Sequence, residues 1–233
     1  MISVVVAVVA SYLLGSIPSA YVAGKSRGID LRKHGSGNLG ATNVMRVLGT
    51  KIGLLVFAVD MTKGAVPVLF FPRWIPVSDL PFGDPVIMAI ICGVAAIIGH
   101  VRPIYLKFGK GGKGVATAAG MFLALAPVPT SLTLLIFAVV LLASGYVSLG
   151  SLTSAAMLPV LLALTSGTRS PVFAISVVVA VLVFWTHRAN ITRLRNGEEH
   201  RFGKRGPPSK HPAATVAIGL VIVVAVLIAS RMT

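Results

Sequence analysis

The sequence predicts an all-α polytopic membrane protein, a seven-helix core followed by an extra C-terminal transmembrane helix. Three observations carry that prediction. The 233 residues have a mean hydropathy of +0.90 and only 12% charged side chains, about half the charge of an ordinary soluble domain. The apolar residues gather into runs at 2–23, 52–72, 85–101, 115–129, 131–147, 150–165, 171–186 and 212–230. The basic residues fall into alternate connections between those runs.

Taken in order, the run at 2–23 has the length of about 20 residues that a helix needs to cross the hydrocarbon core. No Lys or Arg precedes it, which argues against a cleaved signal peptide. Its VVVAVVA stretch is rich in strand formers, as is LIFAVVLLA further on. Neither stretch alternates as a barrel strand would. A helix is the remaining way to satisfy the backbone in lipid. The runs at 52–72 and 212–230 are also of full spanning length. Asp60 and Lys63 stand at i, i+3 in the second run, where charges are costly, and are expected to pair. The run at 85–101 holds the single cysteine, Cys92, which can form no intramolecular disulfide and reads as a buried thiol. The runs from 115 to 186 are shorter and would cross only with their polar flanks or through a thinned bilayer. Residues 1–200 are read as a membrane-embedded core, and 201–233 as a basic linker with a C-terminal transmembrane helix.

The formal charge of +15 suits either nucleic acid or anionic headgroups and phosphorylated substrates. Placement separates the two. Of the 21 basic residues, 17 lie in 24–51, 102–113 and 187–210. Threading the first run inward puts these segments and 144–150 on one side, which the positive-inside rule names cytoplasmic. The basic segments lack interleaved aromatic residues for base stacking, so nucleic acid is not an expected partner.

The first basic segment contains HGSGNLGATNVMR, residues 34–46. GSGNLG fits a dinucleotide fingerprint, with Asp60 at 20 residues after Gly40, but no strand precedes it and Asp60 lies in an apolar helix. Its physical content is a flexible backbone at Gly35, Gly37 and Gly40, whose N–H groups can form an anion-binding nest. Ser36, Asn38, Thr42 and Asn43 add hydrogen-bonding side chains, and Arg46 adds a phosphate-matching fork. The second segment, KFGKGGKGVAT at 107–117, repeats the theme. Gly111, Gly112, Lys113 and Gly114 lead into a helix N-terminus, a favourable place for phosphate. It is not a P-loop, since Gly114 stands where Ser or Thr would follow the lysine. In the third, HRANITRLRNGEE at 187–199, a continuing helix would put His187 and Asn190 on one face. His187 could then donate to a phosphate or carry a proton. YVSLGS at 146–151 reads as a cytoplasmic Ser-Gly turn from which Ser148 and Ser151 reach the same site. The bland alternatives are polar turns, topogenic lysines, a basic helix flank with Glu198 and Glu199 solvated, and helix caps.

Absences narrow the chemistry. The six acidic residues form no DxxD pair, there is no HExxH, and no His is followed five residues later by Asp. A magnesium-dependent CDP-alcohol transferase would need clustered aspartates.

The three blocks GSGNLGATNVMR, GKGGKGVAT and HRANITRLRNGEE, in this order and spacing, resemble the bacterial acyl-phosphate-dependent glycerol-3-phosphate acyltransferase family over residues 1–200. Gly109 lengthens the second motif relative to the commoner KFKGGKG. The resemblance implies a seven-helix membrane fold in the bacterial plasma membrane with a cytoplasmic active site. It implies transfer of a fatty acyl group from acyl phosphate to the 1-hydroxyl of glycerol 3-phosphate, yielding lysophosphatidic acid and inorganic phosphate. It implicates Ser36, Asn38 and Arg46, the loop Gly111–Gly114 with Lys113, and His187 and Asn190. Ser151 or Ser148 would complete the site, and Glu198 would be structural. The implied partners are glycerol 3-phosphate, fatty acyl phosphate, membrane lipids and an acyl-phosphate-producing enzyme. No cofactor and no metal are expected, because acyl phosphate is already activated and positioning with charge stabilisation can do most of the work. The base is either His187 or a substrate phosphate. The alternative reading is a transporter of an anionic phosphorylated metabolite. A transporter should show internal repeats with paired broken helices, and none is visible.

Overall fold

The run at 2–23 folds not as one helix but as two, α1 (Ile2–Gly15) and α2 (Ser19–Lys25). The break falls before Pro18, which has no N–H to continue the ladder. The computed structural model describes residues 1–202, and every regular element among them is helical. The helix expected at 212–230 lies outside the described residues. After α2 come a short α3 (Ala41–Leu48), α4 (Thr50–Phe70) and α5 (Pro85–Val101). The Asp84 carboxylate caps α5 by accepting from the Val86 N–H at 2.7 Å. There follow α6 (Val115–Leu125), α7 (Pro127–Ser144), α8 (Val147–Ser166), α9 (Pro171–Thr186) and α10 (Arg188–Arg195).

Among the described residues, five segments are long and apolar enough to cross a membrane: Ile2–Lys25, Thr50–Trp74, Pro85–Leu106, Pro127–Ser144 and Val147–Ser166. Helices α9 and α10 form a sixth if the 60° bend between them lies within one span. The run at 115–129 stops earlier than expected, because Pro127 opens α7. That leaves α6 with 11 residues, apolar but short.

The described residues form two compact units, Met1–Pro127 and the chain from Val128 on. In the first, backbones approach closely at glycines. A Cβ on Gly15 would lie 2.1 Å from the Ala96 carbonyl oxygen, and one on Gly64 2.0 Å from that of Thr117. These contacts seat α1 on α5 and α4 on α6. Lipid removes most of the hydrophobic drive between helices, so close approach and dispersion take its place. Val5, Val6, Leu54 and Leu55 stay exposed on the outer faces. A separate cluster of Ala20, Leu31, Leu39, Val44 and Val56 anchors the first motif to α2 and α4. Cys92 is buried beside Ala7, Ile75 and Met88. In the second unit, Ile136 and Val140 of α7 pack on Met157 and Leu161 of α8, and the Ser154 hydroxyl donates to the Thr133 carbonyl at 2.8 Å.

Candidate active site

The first motif folds as a loop held from within by Asn43. This side chain is 1% exposed. Its Oδ1 accepts from the Ser36 N–H at 2.8 Å, and its Nδ2 donates to the carbonyls of Leu31 and His34 at 3.3 and 3.1 Å. Asn43 is thus engaged at both ends by the chain. The side chain expected to contact a ligand shapes the loop in this fold. Gly35 takes φ +62°, and a Cβ there would stand 2.2 Å from Asn43 Oδ1. Gly40, by contrast, has φ −135° and serves as the N-cap residue of α3, not as a left-handed turn. Ser36 is exposed at the loop, Asn38 is half-buried with its amide over Gly40, and Thr42 and Arg46 lie one helical turn apart on α3. At the loop's start, Arg32 grips the Asp30 carboxylate with Nε and Nη2 at 2.9 and 2.7 Å. That hydrogen-bonded pair holds the carboxyl well below its usual range.

The second motif leaves α5 through left-handed turns at Lys107 and Phe108 and enters α6 at Gly114. Its middle is pinned to the end of α5. The N–H of Gly111 donates to the Val101 carbonyl at 3.0 Å, and that of Gly112 to the His100 carbonyl at 3.2 Å. Glycine is required there by proximity. A Cβ on Gly112 would come within 2.0 Å of His100 Nε2 and 3.0 Å of the Leu39 carbonyl oxygen. The second of these distances brings the two glycine loops into contact. Lys113 is half-buried, and Lys110 is exposed.

Asp60 and Lys63 pair as expected, Nζ to Oδ1 at 2.8 Å. They do not pair alone. The Ser19 hydroxyl donates to Asp60 Oδ1 at 2.6 Å, Lys63 Nζ donates to the Ile17 carbonyl at 2.9 Å, and His100 Nδ1 lies 3.6 Å from Asp60 Oδ1. Ser19 and His100 were not legible as partners, because 41 and 40 residues separate them from Asp60 and no spacing rule links them.

The second unit carries the third motif. The helix does not run straight through it, since the chain bends at His187, which is both the end of α9 and the start of α10. His187 and Asn190 are both buried, at 3% and 7% exposure. His187 Nδ1 lies 2.8 Å from the Val183 carbonyl oxygen. A carbonyl can only accept, so the neutral ring carries its proton on Nδ1 and leaves Nε2 as the basic nitrogen.

Glu199, not Glu198, is the structural carboxylate. It accepts from Asn190 Nδ2 at 2.6 Å, from the Ser148 hydroxyl at 2.9 Å and from Arg193 Nε at 2.7 Å. Burial pushes its carboxyl up. The hydrogen bonds from Asn190, Ser148 and Arg193, with the Arg193 charge, outweigh that and hold it below its ordinary value. Glu198 is exposed. The Ser-Gly turn expected at 146–151 is the first turn of α8 instead, with the reversal at Gly145, whose φ is +79°. Ser148 therefore points to Glu199, and the Ser151 hydroxyl bonds back to the Val147 carbonyl at 2.9 Å. Both serines are buried. On the other side of α10, Ile191, Leu194 and Arg195 border an apolar groove of ≈590 Å³ with Leu149, Leu152 and Phe184.

Comparison with known proteins gives consistent matches. The family model described as glycerol-3-phosphate acyltransferase matches residues 5–197. The glycerol-3-phosphate acyltransferase of Geotalea daltonii is 43% identical over 202 residues, 87% of this chain and 99% of the relative. That of Chlorobaculum tepidum is 40% identical over 232 residues, 88% of this chain and 100% of the relative. Among solved structures, PlsY, an integral membrane glycerol 3-phosphate acyltransferase, matches in its glycerol 3-phosphate form. The TM-score is 0.77 and the identity 39%, covering 86% of this chain and 96% of that one. Its lysophosphatidic acid form matches with a TM-score of 0.75 and 38% identity.

Proposed function

This chain belongs to the glycerol-3-phosphate acyltransferase family of integral membrane proteins, and from that membership we propose that it uses acyl phosphate as donor. It transfers the fatty acyl group to the 1-hydroxyl of glycerol 3-phosphate, giving lysophosphatidic acid and inorganic phosphate. The reaction runs at the cytoplasmic face of the bacterial plasma membrane, where the basic segments put the phosphate-binding loops. An acyl-phosphate-producing enzyme supplies the donor.

The observation that carries this reading is the contact between the two glycine loops, Gly112 against the Leu39 carbonyl. A reaction between two phosphate-bearing substrates needs two anion sites side by side. Adjoining backbone loops carrying Ser36, Asn38, Thr42 and Arg46 on one and Lys113 on the other supply them in one unit. The apolar groove beside α10 suits an alkyl chain. The transporter alternative gives way to the family membership.

In the chemical step, the 1-oxygen of glycerol 3-phosphate forms a bond to the acyl carbonyl carbon. The bond from that carbon to the phosphate oxygen breaks, and the proton of the hydroxyl goes to His187 Nε2 or to the departing phosphate. Arg46 and Lys113 stabilise charge on the phosphates, while the N–H groups of Gly111 and Gly112 are held by the Val101 and His100 carbonyls and fix the loop. Asn190, held by Glu199, orients the third motif. Ser36 lies on the first loop as a hydroxyl donor to the reacting groups, and Ser148 and Ser151 brace the start of α8.

The test is a transfer assay on purified protein in lipid, with glycerol 3-phosphate and either palmitoyl phosphate or palmitoyl-CoA. Lysophosphatidate formed from the acyl phosphate alone, with release of phosphate and no added metal, is the expected result. Product from palmitoyl-CoA alone would overturn the donor assignment.

A further inference from the structure

Beneath the second glycine loop lies a polar network that the chemical step does not use. Asp60, Lys63 and His100 are 1%, 4% and 7% exposed and belong to membrane-spanning segments. Charges at such positions are expensive. A buried ion pair is often no more stabilising than apolar side chains of the same volume. Helix packing around it is already supplied by glycine contacts such as Gly64 on Thr117. Stability is therefore a weak reason for the network to exist.

Its connections point elsewhere. At one end, Lys63 Nζ and Ser19 Oγ tie it to the break between α1 and α2, through the Ile17 carbonyl and Asp60. At the other end is His100. Its Nδ1 faces Asp60, its carbonyl accepts from the Gly112 N–H, and its Nε2 occupies the space a Cβ on Gly112 would need. Lys63, His100, Gly111 and Gly112 together line a small cavity of ≈10 Å³. It is bordered by Ser16, whose buried hydroxyl has no hydrogen-bond partner among the described residues. The side chain that sets where Gly111 and Gly112 sit is thus itself set by an ion pair.

We propose that Ser19, Asp60, Lys63 and His100 form a positioning network that holds the Gly111–Gly114 loop in its phosphate-binding shape. The inference rests on the acyltransferase reading for the identity of the phosphate, a monoester carried by one of the two substrates. The residues touch no substrate. They act through the loop.

The experiment replaces the pair by apolar side chains of similar size, Asp60→Leu with Lys63→Met, in the full chain purified in detergent. Thermal unfolding is expected to stay within a few degrees of wild type. The KM of one substrate, glycerol 3-phosphate or palmitoyl phosphate, is expected to rise by about tenfold or more, the loss of a charged hydrogen bond. The KM of the other substrate and kcat should hold within about threefold. Which KM moves identifies the substrate whose phosphate the loop binds. Wild-type KM values in the folded double variant would overturn the proposal, as would a fall in kcat with neither KM changed. If the double variant does not fold, Ser19→Ala, which removes one donor and keeps both charges, is judged by the same split. Wild-type protein that transfers no acyl group would refute the functional reading instead. The network is then judged by competition binding of inorganic phosphate, expected to weaken in the variant and overturning the proposal if unchanged.

Discussion

At the scale of the residue, the site consists of groups whose roles come from their partners. Lys113→Ala and Arg46→Ala are expected to raise KM by about ten- to a hundredfold through lost charge-assisted contacts, with topology unchanged. Steady-state kinetics checks this. His187→Ala is expected to lower kcat by about a hundredfold or more if Nε2 takes the proton. A change confined to KM would make it a binding residue. Glu199 adds a pH dependence. Its carboxyl is held below its ordinary value of 4.5 in the folded protein. The stabilisation is complete above that value and is lost as pH falls through the lowered one. Glu199→Gln should therefore cost about 1–2 kcal/mol at neutral pH and progressively less in acid, as read from thermal unfolding against pH. Asn43 and Glu199 also show what a motif conceals. A polar residue among candidate ligands can be spent wholly on the fold, and of two adjacent glutamates only the one reaching Ser148, Asn190 and Arg193 is structural.

At the scale of the element, small residues and breaks do most of the positioning. Pro18 interrupts the first span, and the interruption leaves the Ile17 carbonyl for Lys63. The bend at His187 redirects α10 so that Asn190 and Arg193 meet Glu199 on one face while Ile191 and Leu194 line the groove on another. The α4–α6 crossing depends on Gly64 and on Gly120, whose added Cβ would stand 1.9 Å from the Met61 carbonyl oxygen. Both obstacles are backbone, so neither can move aside cheaply. Gly64→Ala is expected to destabilise the folded protein by about 1–3 kcal/mol through overpacking. It should also impair activity, because α6 carries the second loop. Thermal unfolding and the transfer assay together check both parts.

At the scale of the whole molecule, the family match spans residues 5–197, and the proposal is that this core carries out transfer without the tail. Deletion of residues 212–233 is expected to leave kcat within about twofold of full-length protein. Loss of activity in a folded truncation would show that the tail takes part. Several features were legible without coordinates. Hydropathy located the apolar helices, since lipid admits no other open architecture for non-alternating apolar runs, although the first run breaks into α1 and α2 and the fourth shortens to α6. The glycine-rich and basic motifs made the family legible, because their residue pattern is local. The Asp60–Lys63 pair was readable because i, i+3 is a helical neighbour distance. Tertiary structure alone decided the rest. It joined Ser19 and His100 to that pair, seated Gly112 on His100 and Leu39, turned Asn43 inward, and chose Glu199 over Glu198. Those are contacts between segments far apart in the chain, and a sequence pattern carries only the periodicity of each helix, not which faces meet.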